Sequence, residues 1–310
     1  MNTRIYIDGY NLYFGCLKGT PFKWLDPVSL TEQLLKRSGA RESVLDKLAV
    51  KFFTAEISPR AASDKNSLND QRSYHLALHN HCGSKLKTIK GNYAIDKTKF
   101  PVVEKDNNGN EKEPRESERV KIWKMEEKQS DVNVALEAVY DAITDSSIEQ
   151  VVFVTNDTDI VPALEKIKFH NSLKVRPPVK IGLIIPKRSD DEHRQGNKSL
   201  SELADWTIVS ISEAELAKSQ LPCRVLAKKT AFKPIGWFKY PEEVESILNT
   251  LKQVEKSFPK AWKWLDKPLH NAAGLPKLNG PPSLYLDNKE ALGVIQQHVS
   301  AYAVYKIQSK

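Results

Sequence analysis

The chain has 310 residues, a formal net charge of +8 and 40% hydrophobic residues. This length exceeds that of most single domains, so we expect a main domain and a smaller appended part. The three cysteines are far apart, which argues against a disulfide framework, and no run of about 18 apolar residues is present to span a membrane. The composition excludes a disulfide-rich secreted protein and favours a cytoplasmic one.

Short apolar runs alternate with helical patterns along the first two thirds of the chain. This alternation is typical of βαβ units and therefore of a parallel sheet. It predicts an α/β fold with a mainly parallel central sheet flanked by helices. The predicted strands are 5–7, 48–53, 151–154, 181–184 and 208–211, and the predicted helices are 30–37, 69–80, 132–142, 160–169 and 199–204.

Acidic turns follow two of the predicted strands. Asp8 and Asn11 follow the first, Asp157 and Asp159 follow strand 151–154, and Asp131 precedes helix 132–142. Carboxyl ends of parallel strands meet at one edge of a sheet, where ligands bind. Clustered carboxylates repel one another unless a cation neutralises them, so the pattern indicates a divalent-metal site. The alternative is that these side chains only form turns or cap helices.

The middle of the chain offers two further patterns. Residues 96–118 are polar and rich in turn formers, and they precede a predicted strand at 120–125. We expect a solvated loop or hairpin tip there, with a substrate-contacting flap as the alternative. His75 and His79 lie one helical turn apart, a spacing that binds zinc, but no fourth ligand is evident, and histidines also suit a helix C-terminus.

The last third of the chain is basic. Residues 1–217 hold 32 Lys and Arg against 32 Asp and Glu, whereas residues 218–310 hold 15 against 7. We place a boundary there and expect a small, mainly helical C-terminal module, with helices at 241–255 and 289–307. Its charge and aromatic residues suit single-stranded RNA, which binds by phosphate attraction and ring stacking. The alternative is that its tryptophans fill a core and its lysines are ordinary surface residues.

Three motifs in order resemble those of the NYN domain family, a group of PIN-like ribonucleases that includes the LabA-like proteins. They are Ile7-Asp8-Gly9-Tyr10-Asn11-Leu12, Glu127-Lys128-Gln129-Ser130-Asp131-Val132 and Val154-Thr155-Asn156-Asp157-Thr158-Asp159. The resemblance covers residues 1 to about 213. It implies a PIN-like nuclease domain at 1–217 and hydrolysis of RNA phosphodiesters with Mg²⁺ or Mn²⁺ as cofactor.

The same resemblance implies roles for the acidic residues. Asp8, Asp131 and Asp157 are the expected metal ligands, and the metal would lower the pKa of an attacking water. Asp159 completes the acidic cluster or positions the nucleophile. Asn11 orients a carboxylate or the scissile phosphate.

The sequence therefore predicts a metal-dependent endoribonuclease. The alternatives are a non-catalytic RNA-binding protein of the same fold and a structure-specific DNA nuclease. DNA is a candidate substrate because the metal chemistry acts on phosphate, which RNA and DNA share. RNA is the expected partner, DNA stays open, and the C-terminal module offers a surface for a homodimer or another protein. The expected nucleic-acid contacts are Arg72, Lys128, Lys228, Lys229, Lys233 and Trp237.

Overall fold

The computed structural model describes residues 1–40, 42–62, 64–269 and 274–308. The strands are β1 (Thr3–Asp8), β2 (Val50–Ala55), β3 (Leu86–Pro101), β4 (Arg119–Lys128), β5 (Gln150–Val154), β6 (Lys180–Ile184), β7 (Trp206–Ile208), β8 (Arg224–Val225) and β9 (Ala231–Phe232). The helices are α1 (Gly9–Leu12), α2 (Pro27–Arg37), α3 (Ser67–Cys82), α4 (Ser130–Thr144), α5 (Val161–Ser172), α6 (Lys198–Leu203), α7 (Glu213–Lys218), α8 (Pro241–Glu255), α9 (Phe258–Leu265) and α10 (Lys289–Gln308). Strands and helices alternate up to residue 218, except that α1 is followed by α2 and β3 by β4.

Seven strands form one sheet in the order β4-β3-β2-β1-β5-β6-β7. All neighbours are parallel except β3 and β4, which pair antiparallel from Asn92–Lys128 to Pro101–Arg119. The sheet order reverses direction between β1 and β5, which is where α/β sheets open a crevice at their carboxyl edge. The predicted α/β fold with a mainly parallel sheet flanked by helices is confirmed.

Alternate residues of the central strands supply two separate cores. Ile5, Ile7 and Phe52 face α2, α3 and α7, and residues beyond position 218 join the same core. We call this face the module side. Tyr6 and Phe153 face α4, α5 and α6, and we call this face the α4 side. The period of two follows from the pleat of a strand, which points successive side chains to opposite faces.

The basic tail has its own core and also packs on the main sheet. Helices α8, α9 and α10 surround Trp262, which is fully buried. Val225 and Ala231 belong to the core of the module side. The boundary at 217/218 stays a prediction, and apolar contacts cross it. None of the helices in the described parts of the chain has the length and apolarity to cross a membrane.

Two predicted boundaries differ from the observed ones. β3 continues to Pro101, into the segment predicted as a loop, because its polar residues pair with β4 along a ribbon exposed on both faces. β7 ends at Ile208, so the predicted strand 208–211 overlaps it at one residue only. The β3–β4 ribbon has no buried face, so its sequence lacks the alternation of apolar and polar residues that predicts a strand.

Candidate functional site at the carboxyl edge

The structure brings three of the predicted acidic residues together. Oxygen atoms of Asp8, Asp131 and Asp157 all lie within 4.8 Å of one another. Asp8 comes from the end of β1, Asp131 from the first turn of α4, and Asp157 from the turn after β5. Asp159 is exposed and lies outside this group. The carboxylate cluster, which consists of Asp8, Asp131 and Asp157, therefore lies at the edge of the sheet where the strand order reverses.

Asp8 is the buried member of the carboxylate cluster. Its Oδ1 accepts a hydrogen bond from the backbone N–H of Asn11 at 2.9 Å. Its Oδ2 accepts one hydrogen bond from Asn11 Nδ2 at 2.6 Å and another from Thr155 Oγ1 at 3.2 Å. Burial raises the pKa of Asp8, although these three donors oppose the shift. Asp8 also caps α1, so the capping alternative holds for this residue together with its place in the cluster.

Asn11 ties two loops to the carboxylate cluster. Its Oδ1 accepts from Arg194 Nη2 at 3.1 Å and from the Asn156 amide at 3.4 Å, while its Nδ2 donates to Asp8. The predicted orienting role is therefore consistent with its contacts. Because an amide adds no charge, it holds the loops without adding to the repulsion among the carboxylates.

Desolvation, followed by the charges of Asp8 and Asp157, raises the pKa of Asp131 to about 6. Glu127, which is not among the site residues predicted from the sequence, adds a fourth carboxylate nearby, and burial raises its pKa as well. Glu127 Oε1 accepts from the Ser130 amide at 3.2 Å, at the turn before α4. Its position within the second motif was the signal that could have found it.

A cavity of about 310 Å³ opens beside the carboxylate cluster, on the module side. Gly9 and Tyr10, which directly follow Asp8, form part of its wall. A Cβ on Gly9 would lie 2.4 Å from the Phe53 carbonyl oxygen, so glycine is needed where α1 passes β2. Rings line much of the cavity, namely those of Tyr10, Tyr13, Phe52, Tyr74, His75 and Trp237.

The cavity also holds a few charged and polar groups. Burial lowers the pKa of Lys23, whose Nζ lies 5.5 Å from the centroid of the Trp237 ring, and Asp64 and Asp70 lie on the same wall. Burial lowers the pKa of His75 to about 4, so its imidazole is neutral at pH 7. His75 Nδ1 is buried and has no hydrogen-bond partner. A concave wall that combines aromatic rings with polar side chains, here also Thr54, Ser67 and Gln71, is suited to a small organic ligand.

The predicted zinc alternative does not assemble. Within the described ranges, the histidines and the cysteine of α3 are not drawn into a common ligand group. His81 Nε2 instead lies 3.3 Å from Asp26, and Cys82 donates to the same carboxylate at 3.5 Å.

The predicted nucleic-acid contacts differ in their exposure and in their partners. Lys233 is only 3% exposed and pairs with Asp287 at 2.7 Å, so its prediction as an RNA contact is wrong. Trp237 lines the cavity instead. Arg72 pairs with Glu56, Lys128 pairs with Asp96 at 3.5 Å, and Lys228 and Lys229 are exposed. RNA as a partner stays a prediction.

Comparison with characterised proteins overturns the predicted reaction. The chain is 39% identical over 277 residues to 6-hydroxy-3-succinoylpyridine 3-monooxygenase HspA of Pseudomonas putida (strain DSM 28022 / S16). A monooxygenase is an oxidoreductase, so the predictions of an endoribonuclease, of a hydrolase and of the two alternative nucleic-acid functions are wrong. The predicted Mg²⁺ or Mn²⁺ cofactor is contradicted by the same relative.

No family model matches the chain. Among solved structures, a protein of unknown function from Vibrio parahaemolyticus RIMD 2210633 is 15% identical, with a TM-score of 0.37, and the match covers 68% of this chain and 93% of that one. The alignment with HspA covers 86% of this chain and 85% of HspA. At this identity and coverage, the chain belongs to the family of 6-hydroxy-3-succinoylpyridine 3-monooxygenase HspA.

Proposed function

We propose that this protein is a monooxygenase acting on a small hydroxylated pyridine that carries a carboxylate side chain. The observation that carries this proposal is the 39% identity to HspA along most of both chains. Such a reaction puts one atom of dioxygen into the substrate and releases the other as water, with two electrons and two protons from a reductant.

The aromatic cavity supports this substrate class. A succinoyl-substituted hydroxypyridine has a flat ring, which the tyrosine rings and Trp237 suit by stacking. The cavity volume of about 310 Å³ lies at the lower end of the range for small-molecule sites. Lys23 is the cation on the cavity wall, and its ammonium group would pair with the substrate carboxylate. That ion pair would replace the attraction of Lys23 to Asp64 and Asp70.

His75 is the group placed to bind the ring hydroxyl. Its imidazole is neutral, and its Nδ1 is buried without a hydrogen-bond partner, so a substrate hydroxyl would reach this nitrogen only after the ring turns toward the cavity, whose wall also carries Thr54, Ser67 and Gln71. In the substrate named for HspA, the hydroxyl at position 6 is para to position 3. A hydrogen bond from that hydroxyl to His75 would fix the orientation of the ring and increase the electron density at its para carbon.

A dinucleotide flavin is one group that supplies electrons for such reactions. In α/β folds of the dinucleotide-binding type, the pyrophosphate lies on the helix that follows β1. Here the Asp8 side chain caps that helix, and two further carboxylates lie within 4.8 Å. This turn does not fit a pyrophosphate, because four negative groups would meet in one place. We therefore assign the chain only the binding and orientation of substrate.

The fold family of the first 217 residues is a further proposal. We propose a PIN-like arrangement of the NYN type, supported by the parallel order β3-β2-β1-β5-β6 and by Asp8, Asn11 and Asp157 at the ends of β1 and β5. A crystal structure superposed on NYN domains tests it, and a different connection between β2 and β5 would contradict it.

The reaction is tested by incubating the purified full chain with 6-hydroxy-3-succinoylpyridine under ¹⁸O₂. Reduced nicotinamide dinucleotides and free reduced flavin serve as electron donors, and mass spectrometry detects one ¹⁸O atom in the product. Absence of label with every donor would overturn the proposal.

The cavity is tested with two variants in the same assay. We expect Lys23→Met to raise KM about tenfold with a smaller change in kcat, because it removes binding of the carboxylate alone. Lys18→Met is the matched control, since Lys18 is exposed and lies over Phe14, outside the cavity wall. Equal KM values in the two variants would remove Lys23 from the substrate site.

A further inference from the structure

The outer face of α4 is apolar and carries no charge. Val132, Leu136, Tyr140 and Ile143 recur at intervals of four, four and three residues and are 60%, 62%, 68% and 38% exposed. Ala135 and Val139 lie on the same side of the helix, as the 100° step per residue places them. A helix on the surface of a monomer normally presents charged and polar residues on this side.

The acidic residues of α4 point the other way, toward the sheet. Glu137 and Asp141 both bind Lys51 Nζ at 2.5 Å, and Tyr6 donates its hydroxyl to Asp141 at 2.7 Å. Lys51 is itself only 7% exposed. Both carboxylates are therefore paired with Lys51, although Glu137 stays partly exposed and also lies 3.7 Å from Lys87.

The apolar surface continues onto the C-terminal end of α5. Phe169, Leu173 and Val175 are 58%, 53% and 69% exposed. Arg176 joins the two helix ends, because its Nη1 donates to the carbonyl oxygens of Ala142 at 3.2 Å and Asp145 at 2.7 Å. We call the combined surface the α4 patch; it consists of Val132, Ala135, Leu136, Val139, Tyr140, Ile143, Phe169, Leu173 and Val175.

The area of the α4 patch is larger than a monomer usually exposes. The seven most exposed of its side chains together offer roughly 700 Å², whereas the largest apolar patch of a typical monomer is about 300–600 Å². A standard protein interface buries about 800 Å² on each partner. The patch therefore has nearly the area that a stable dimer needs, even before polar rim contacts are counted.

We propose that a second copy of this chain covers the α4 patch, with α4 packed against α4 of the partner about a two-fold axis. An isologous interface must be complementary to itself, and the outer face of α4 meets this condition because it brings no like charges together, while the charge of Lys166 lies over Phe169 at the α5 end of the patch. The C-terminal module packs on the opposite side of the sheet, so it leaves the patch open. This interface does not depend on the proposed reaction.

Sedimentation velocity of the full chain up to about 100 µM tests the proposal, since a dimer is favoured by mass action. We expect wild type to sediment at twice the chain mass of 35.1 kDa, and Leu136→Lys/Tyr140→Lys at the single-chain mass. Both changes lie on exposed side chains, and an unchanged melting temperature of the monomeric variant at low concentration verifies that it is folded.

Leu226→Lys/Leu284→Lys is the matched control, because these leucines are 66% and 72% exposed and lie outside the patch. We expect this control to remain dimeric. A monomeric wild type at the highest concentration overturns the proposal, even if the patch binds some other protein. A dimer that persists in Leu136→Lys/Tyr140→Lys overturns it as well, because the interface then lies elsewhere.

Discussion

The two faces of the central sheet are covered in different ways. On the module side, α3 and the segment before α2 are covered by a ring from the tail, because the centroid of the Trp237 ring lies 6.1 Å from that of Trp24 and 5.8 Å from that of Tyr74. On the α4 side, a buried ionic group anchors α4 to the sheet, and the outer surface of the helix stays apolar. One side is completed within the chain, and the other is left for a partner.

The largest expected effect is on the module side. Trp24→Ala removes a fully buried ring, its contact with Tyr74 and its hydrogen bond to the Pro222 carbonyl at 2.9 Å. We expect a loss of about 3–5 kcal/mol in the free energy of unfolding, measured by urea denaturation. Trp123→Ala, on the exposed β4, should cost less than about 1 kcal/mol. Similar losses of stability in both variants would contradict a special contribution from the contacts between Trp24 and the tail.

A smaller effect is expected on the α4 side. Lys51→Met leaves Glu137 and Asp141 without their common cation, and we expect a loss of about 2–4 kcal/mol, below the full cost for buried pairs because Glu137 is partly exposed. The control is Lys85→Met, whose exposed pair with Glu32 should contribute less than about 0.5 kcal/mol. If neutralising both acids in the Lys51→Met background restores no stability, the loss comes from packing and not from charge.

The smallest effect is expected at the carboxyl edge that both sides share. The pKa of Asp131 is raised from 3.8 to about 6, so the folded state favours the protonated form. The charged form therefore destabilises the fold above pH 6, and this cost disappears as the pH falls toward 3.8. Asp131→Asn should raise the melting temperature near neutral pH by about 2 °C, since solvent screening keeps the gain below about 1 kcal/mol.

The same comparison near pH 4 should show no gain from Asp131→Asn, as followed by differential scanning calorimetry across the pH range. Asp46→Asn, at an exposed position away from the carboxylate cluster, is the control. A gain that is constant with pH would mean that the substitution acts through packing or helix propensity.

The sequence predicted the sheet and the carboxylate cluster because both depend on local patterns. Apolar runs mark β1 and β5, and Asp8 and Asp157 stand directly at their ends. The cavity could not be predicted, because Lys23, Tyr74 and Trp237 are brought together only by packing between distant segments. The reaction was predicted wrongly because clustered carboxylates are compatible with several chemistries, and no spacing in the chain specifies oxygenation.

The contact between the rings of Trp24 and Trp237 affects how the chain folds during its synthesis. Residues 1–217 leave the ribosome first, and at about 5–20 residues per second the remaining segment follows only after roughly 5–20 s. During that interval Trp24 lacks the ring of Trp237 and the carbonyl of Pro222 that cover it in the finished fold. The nascent sheet domain thus presents an aromatic surface of the kind that chaperones bind, and the tail ends that exposure when it folds back.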